Sequence, residues 1–187
     1  MARAGLTPGR VVEAAAAVAD DVGFDRVTLA AVADHFGVAL PSLYKHIGGI
    51  EALRRELRIR GLKELAGALA DAAVGKAAGA ALTAMAHAYR SYAQAHPGVY
   101  AGTAMAPAPG DVEHTQAATA VQRVVFAVLE GYGLAGDALV DAMRMLHAAL
   151  HGFVTLEDGG SFKMARDVDA SFARLVAAMD VALANWG

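Results

Sequence analysis

The sequence predicts an all-α protein, and three observations predict it. Apolar residues recur three and four positions apart in segment after segment, as in Val11, Ala15, Val18 and Val22, the spacing that lines one face of a helix. Glycines and prolines fall at the ends of these segments, where they start or stop helices rather than interrupt them. Hydrophobic residues make up 56% of the 187, with alanine the commonest, yet no apolar run approaches the roughly 18 residues that a membrane-crossing helix needs.

Thr7 and Pro8 read as the cap and first turn of a helix running to about Val22, and Gly23 stops it ahead of Phe24. The stretch from Thr28 to Leu53, TLAAVADHFGVALPSLYKHIGGIEAL, then reads as a short helix, a glycine-pivoted turn and a second short helix. Thr28 caps the first of these, whose inner face is Leu29, Val32, Ala33 and Phe36. Gly37 ends it, because a glycine enters the left-handed conformation without a side-chain clash. Val38 plugs the turn and Pro41 sits in the first turn of the next helix, where a missing amide hydrogen costs nothing. Leu43 and Ile47 face inward, which turns Ala39, Ser42, Lys45 and His46 outward as a small, polar and basic face suited to the major groove of duplex DNA.

The run Gly37-Val38-x-x-Pro41-Ser42-Leu43-Tyr44-x-His46, followed by Glu51-Ala52-Leu53, resembles the DNA-binding domain of the tetracycline-repressor (TetR) family, over about the first 55 residues. The resemblance implies that Thr28, Ser42, Tyr44 and His46 touch phosphates, while Ala39, Leu40, Pro41 and Lys45 lie towards base edges. It also implies a homodimer reading a palindromic operator, and a small-molecule effector. One position departs from the family pattern. A lysine usually opens the next helix and grips a phosphate, whereas this chain has Ile50 preceded by Gly48 and Gly49. Arg54, Arg55 or Arg58 are the expected substitutes.

Charge is distributed accordingly. The net charge is −3, but residues 1 to 60 carry eight basic against seven acidic groups, +1, and the remainder eight against twelve, −4. Arg3 in the N-terminal tail is expected to serve solubility, with a backbone or minor-groove contact as the alternative.

From Ile50 the pattern continues through Leu53, Leu57, Leu62, Leu65 and Leu69 to about Ala73, a connecting helix of roughly 36 Å. Tilting it at one end would displace the DNA-reading head. Val74 to Gly79 forms a joint. The next helix carries Leu82, Met85, Ala86, Tyr89 and Ala93, and breaks at His96-Pro97-Gly98. A short piece through Tyr100 and an irregular loop, Met105 to Gly110, lead to a helix from about Val112 to Tyr132. There Val121, Val124, Val125, Val128 and Leu129 suggest burial on more than one side.

Two well-patterned helices close the chain, from Asp137 to about Glu157 and from Ala165 to Trp186, joined by a turn at Asp158-Gly159-Gly160-Ser161 and expected to lie antiparallel. In the resembled family the last two helices pair across a two-fold axis, so homodimerisation is expected through about 137–157 and 165–186. The run Leu150-His151-Gly152-Phe153-Val154-x-Leu156-Glu157 resembles the His-Gly signature of the WHG subgroup. The expected organisation is a helix-turn-helix DNA-binding domain over 1–50 and an effector-binding and dimerisation body over 51–187, with 50–73 as the connecting helix.

Met85, Tyr89, Tyr92, Tyr100, Met105, Phe126, Met143 and His147 are the candidates for an effector cavity, since methionine and aromatic side chains with a few polar tips line small-molecule pockets. Each also suits ordinary core. The effector they would suit is mostly apolar with one or two polar groups. His147 and His151 share a helix face at a metal-ligand spacing, but no glutamate stands beside His147, and packing histidines are the expectation. No cofactor or metal is expected. Without cysteine, disulfides and cysteine metal sites are excluded, and the start MARAGLTPGR lacks the apolar region of a signal peptide, which points to the cytoplasm with no membrane association. The alternative of an all-helical enzyme finds no P-loop, GxGxxG, nucleophile elbow or carboxylate cluster.

Overall fold

A computed structural model describes residues 6–186, and Arg3 lies outside the described residues. Eight α-helices and two 3₁₀ segments are found there, and no strand. The helices are α1 (Pro8–Val22), α2 (Leu29–Phe36), α3 (Ile50–Ala73), α4 (Ala78–Ala95), α5 (Pro97–Thr103), α6 (Val112–Glu130), α7 (Asp137–Asp158) and α8 (Val168–Ala184). Contacts divide the chain into two units. One comprises residues 1–62 with 96–117, the other 63–95 with 118–187. Helix α3 thus contributes residues 50–62 to the first and 63–73 to the second.

In the first unit the expected start and stop signals all operate. Thr7 and Thr28 cap α1 and α2 by accepting from the amides of Arg10 and Ala31. Gly23 and Gly37 terminate these helices, and Gly37 is left-handed at φ 64°. Val11, Ala15, Val18, Phe24, Val27, Leu29, Val32, Leu43, Leu53 and Leu57 form one buried core, with Phe36 and Val38 packed against it. Helix α5 belongs to this unit. The backbone of Gly98 approaches α1 so closely that a β-carbon there would fall 1.8 Å from the Ala19 carbonyl oxygen, a packing that only glycine permits. Asp20 of α1 accepts from the Val99 amide at 3.0 Å and faces His96 Nδ1 at 3.1 Å, so a carboxylate from another helix satisfies an unpaired amide at the start of α5.

The second reading-head segment is tighter than expected. Leu40–Lys45 is a 3₁₀ helix rather than an α-helix, with Ser42 donating to Ala39 and His46 to Leu43. Pro41 offers no amide, and ten residues between Gly37 and the Gly48-Gly49 pair give little length for α-helical cooperativity.

In the second unit α4 packs against both α7 and α8, and α7 against α8. Leu82, Met85, Leu146, Leu150, Phe172, Val176, Met179 and Leu183 are buried there. Arg90 of α4, only 8% exposed, donates to Glu157 of α7 from Nε at 2.8 Å and pairs with Asp169 of α8 at 2.7 Å. Three boundaries differ from expectation. Helix α8 begins at Val168 because Asp167 caps it, accepting from Ala170. The link from α7 is therefore longer than a turn, occupying 159–167. Helix α6 ends at Glu130, and its valines at 121, 124 and 125 are half-buried while Val128 and Leu129 are buried.

Candidate nucleic-acid interface and effector residues

The geometry of Leu40–Lys45 follows from two anchors. Leu43 is fully buried and Ile47 nearly so, which fixes the segment against α2 and orients everything between them. Ala39, Leu40, Pro41, Tyr44 and Lys45 are exposed, Tyr44 by 58%, and Ser42 and His46 are half-buried. Exposing a tyrosine and a leucine beside a lysine leaves apolar surface that water solvates poorly, an arrangement better explained by contact with a partner than by folding. Lys45 has no hydrogen-bond or ion-pair partner among the described residues. Thr28 is exposed at the start of α2; its oxygen accepts from Ala31, which leaves its hydroxyl proton to donate outward.

The three arginines expected to replace the missing lysine all make contacts within the chain. Arg54 donates to Glu51 at 2.9 Å and to the Asp25 carbonyl at 2.8 Å. Arg55 holds Asp111 in a bidentate pair at 2.6 and 2.7 Å and also meets Glu56. Arg58 lies over the Phe24 ring, 5.3 Å from its centroid. The Arg55 hydrogen bonds, with the His114 amide, hold the Asp111 carboxyl down at about 2, and Asp111 in turn raises the Arg55 guanidinium further above its ordinary value. Arg54 and Arg55 would have to exchange these hydrogen bonds to grip a phosphate, whereas Arg58 is held only through the Phe24 ring.

This unit also buries a polar group. His114, in the first turn of α6, is 3% exposed, and its Nε2 has no partner. Burial lowers its proton affinity and Arg58 and Arg55 lower it further, while Asp111 opposes them, so the ring is held neutral.

Comparison with known proteins addresses the same two regions. Residues 11–57 match the model described as bacterial regulatory proteins, tetR family, and residues 82–179 match that of the tetracyclin repressor-like C-terminal domain. An uncharacterized HTH-type transcriptional regulator of Mycobacterium tuberculosis is 40% identical over 172 residues, 91% of this chain and 78% of that protein. The chain belongs to the tetracycline-repressor (TetR) family. It is accordingly a DNA-binding transcriptional regulator rather than an enzyme. Solved structures share the TetR fold. A protein of unknown function from Rhodococcus aligns with TM-score 0.79 at 24% identity over 97% of both chains, and an Acinetobacter baumannii TetR variant in complex with minocycline with TM-score 0.68 at 20% identity over 97% of both.

The effector candidates of this TetR-family chain divide. Met85, Tyr89 and Tyr92 are buried on α4, and the Tyr92 hydroxyl donates to Glu64. Phe126 and Met143 are half-buried and His147 is exposed, in the same unit. Tyr100 and Met105 belong to the first unit, Tyr100 buried and Met105 51% exposed. A cleft of about 410 Å³ opens between the end of α3, the start of α4 and α6, lined by Ala70, Val74, Lys76, Arg123, Val124 and Val128 among others, and by none of the eight candidates. The rings of His147 and His151 are 5.6 Å apart, and no cluster of three or more metal-binding side chains exists among the described residues. No helix there is long and apolar enough to cross a membrane.

Proposed function

We propose that the chain is a ligand-responsive repressor that acts as a homodimer on a palindromic operator. The observation that carries this reading is the outward face of exposed Ala39, Leu40, Pro41, Tyr44 and Lys45 and half-buried Ser42 and His46, held over buried Leu43 and Ile47. Ala39, Leu40, Pro41 and Lys45 face base edges in the major groove, and Thr28, Ser42, Tyr44 and His46 touch phosphates. One such segment spans only a few base pairs. Two copies separated by one duplex turn, roughly 34 to 36 Å, read a symmetric site, and α7 and α8 supply the pairing surface. Leu156 and Val181 on these helices are exposed in the single chain, which supports their burial by a second copy.

The effector is a small, mostly apolar molecule bound in the body against Met85, Tyr89, Tyr92, Phe126, Met143 and His147. That a relative of the same fold is known in complex with minocycline supports a body that accepts organic ligands. Release requires the effector to prefer the conformation that no longer fits the operator, and a tenfold loss of occupancy needs about 1.4 kcal/mol of such preference. The His-Gly run at 151–152 also supports assignment to the WHG subgroup. Selection of bound sequences from random duplex DNA tests the reading. A two-fold symmetric site with half-sites one turn apart is expected; no enrichment at low salt overturns it.

A further inference from the structure

The link between α7 and α8 builds a second cleft, of about 350 Å³, that none of the effector candidates lines. Its walls are Phe153, Phe162, Met164 and Val168, and its two cations are Lys163 and Arg166. No carboxylate lines it.

The aromatic part of the wall is braced by ring contacts. The Phe153 ring packs against Phe172 at 5.0 Å and Phe162 at 4.9 Å, and the buried Arg90 guanidinium lies 5.8 Å from the Phe153 centroid and 4.9 Å from that of Phe172. Arg90 is neutralised by Glu157 and Asp169, so it supports the rings from below and offers no charge to a ligand. The nearby Asp167 is likewise committed, as the cap of α8.

The two cations at the mouth are not committed. Lys163 and Arg166 are exposed, and neither has a side-chain partner among the described residues. A β-carbon on Gly160 would stand 3.5 Å from the Lys163 Nζ, so the ammonium lies beside the turn. Phe162 is 39% exposed and Met164 89%, although a link of this length could have carried polar residues at both places. Apolar walls leading to two unpaired cations complement one kind of ligand: an apolar chain or ring that ends in an anion.

We propose that this cleft binds an amphipathic organic monoanion, its hydrocarbon against Phe153, Phe162, Met164 and Val168 and its carboxylate between Lys163 and Arg166. The site is distinct from the effector wall proposed above and does not depend on the DNA-reading assignment, since it can be measured without DNA.

Calorimetric titration of the full chain with decanoate, kept below its micelle concentration, tests this. Saturable binding at one site per chain is expected, with decanol and acetate at least roughly tenfold weaker, since one lacks the charge and the other the chain. The double variant Lys163→Met/Arg166→Met should lose roughly tenfold for decanoate and nothing for decanol. Phe162→Ala, on an exposed link side chain, should weaken both by several-fold with helix content unchanged. Three results overturn the proposal. They are decanoate binding unaffected by all of these variants, tight binding to phosphatidylglycerol vesicles without binding of monomeric decanoate, and dissociation of a dimer by decanoate, which would assign the cleft to a second copy of the chain.

Discussion

The 3₁₀ segment Leu40–Lys45 and the first turns of α3 lie a few residues apart, yet their cations have opposite fates. Lys45 is exposed and unpaired among the described residues, whereas Arg54, Arg55 and Arg58 are spent on Asp25, Glu51, Asp111 and the Phe24 ring. On the proposed reading, nearness to a DNA-reading motif does not by itself make an arginine a phosphate contact. What decides is whether the fold has already supplied a carboxylate, a carbonyl or a ring. The proposed function assigns the first group to a partner, while the second is used by the chain itself, so substitutions in the two should separate affinity from stability.

The largest effect belongs to the anchor between them. Leu43→Ala removes a fully buried side chain and should cost about 2–5 kcal/mol of stability, lowering the denaturation midpoint and abolishing DNA binding together. Tyr44→Ala, one residue on, should weaken operator binding about tenfold with an unchanged midpoint, and Lys45→Ala should do the same while reducing the slope of log K against log salt by about one. If Tyr44→Ala instead lowers the midpoint as much as Leu43→Ala does, the exposed tyrosine is structural and the contrast fails.

Arg55→Met should show the reverse pattern. It leaves Asp111 without its guanidinium, so thermal stability falls while the salt slope of DNA binding stays as it was. The same pair predicts acid sensitivity. Asp111 binds its proton less readily folded, at about 2, than unfolded, at the ordinary value of 3.8; its contribution is complete above about pH 4 and is lost as pH falls through 2. Arg55→Met should flatten the denaturation midpoint across that window.

The smallest effects come from Thr28 and His114. Thr28→Ala should cost about 1 kcal/mol of stability through the lost cap, measured by denaturant unfolding. His114 binds a proton less readily folded than unfolded, so its neutral burial supports stability fully above the ordinary value of 6.5 and progressively less as pH falls below it. His114→Leu should remove that slope below about pH 6.5. A slope that persists unchanged would mean that other groups cause it.

Local steric signals are legible in the amino-acid sequence. Thr7, Gly23, Thr28 and Gly37 act where the sequence places them, because a cap or a left-handed turn is decided by residues within four positions. The end of α3 at Ala73 is legible for the same reason. Long-range commitments are not. Arg54 reaches a carbonyl 29 positions away, Arg55 a carboxylate 56 away, and Asp20 serves an amide 79 away. Gly98 reads as a helix breaker, and nothing in the chain around it reveals that it lies against the Ala19 carbonyl. The cleft at 161–166 leaves little trace in the sequence because its Phe-Lys-Met-Ala-Arg run has no periodicity. An unpatterned link that combines apolar and basic residues is the one signal it does carry.

Affinity for the selected palindromic duplex, followed by anisotropy as salt is raised, tests the central claim most directly when the chain is compared with Tyr44→Ala, Lys45→Ala and Arg55→Met. The account predicts weaker binding for the first two at unchanged thermal stability, a shallower slope for Lys45→Ala, and an unaltered slope for Arg55→Met. Equal affinity in the chain and in both Tyr44→Ala and Lys45→Ala, or a slope lost only with Arg55, would contradict it.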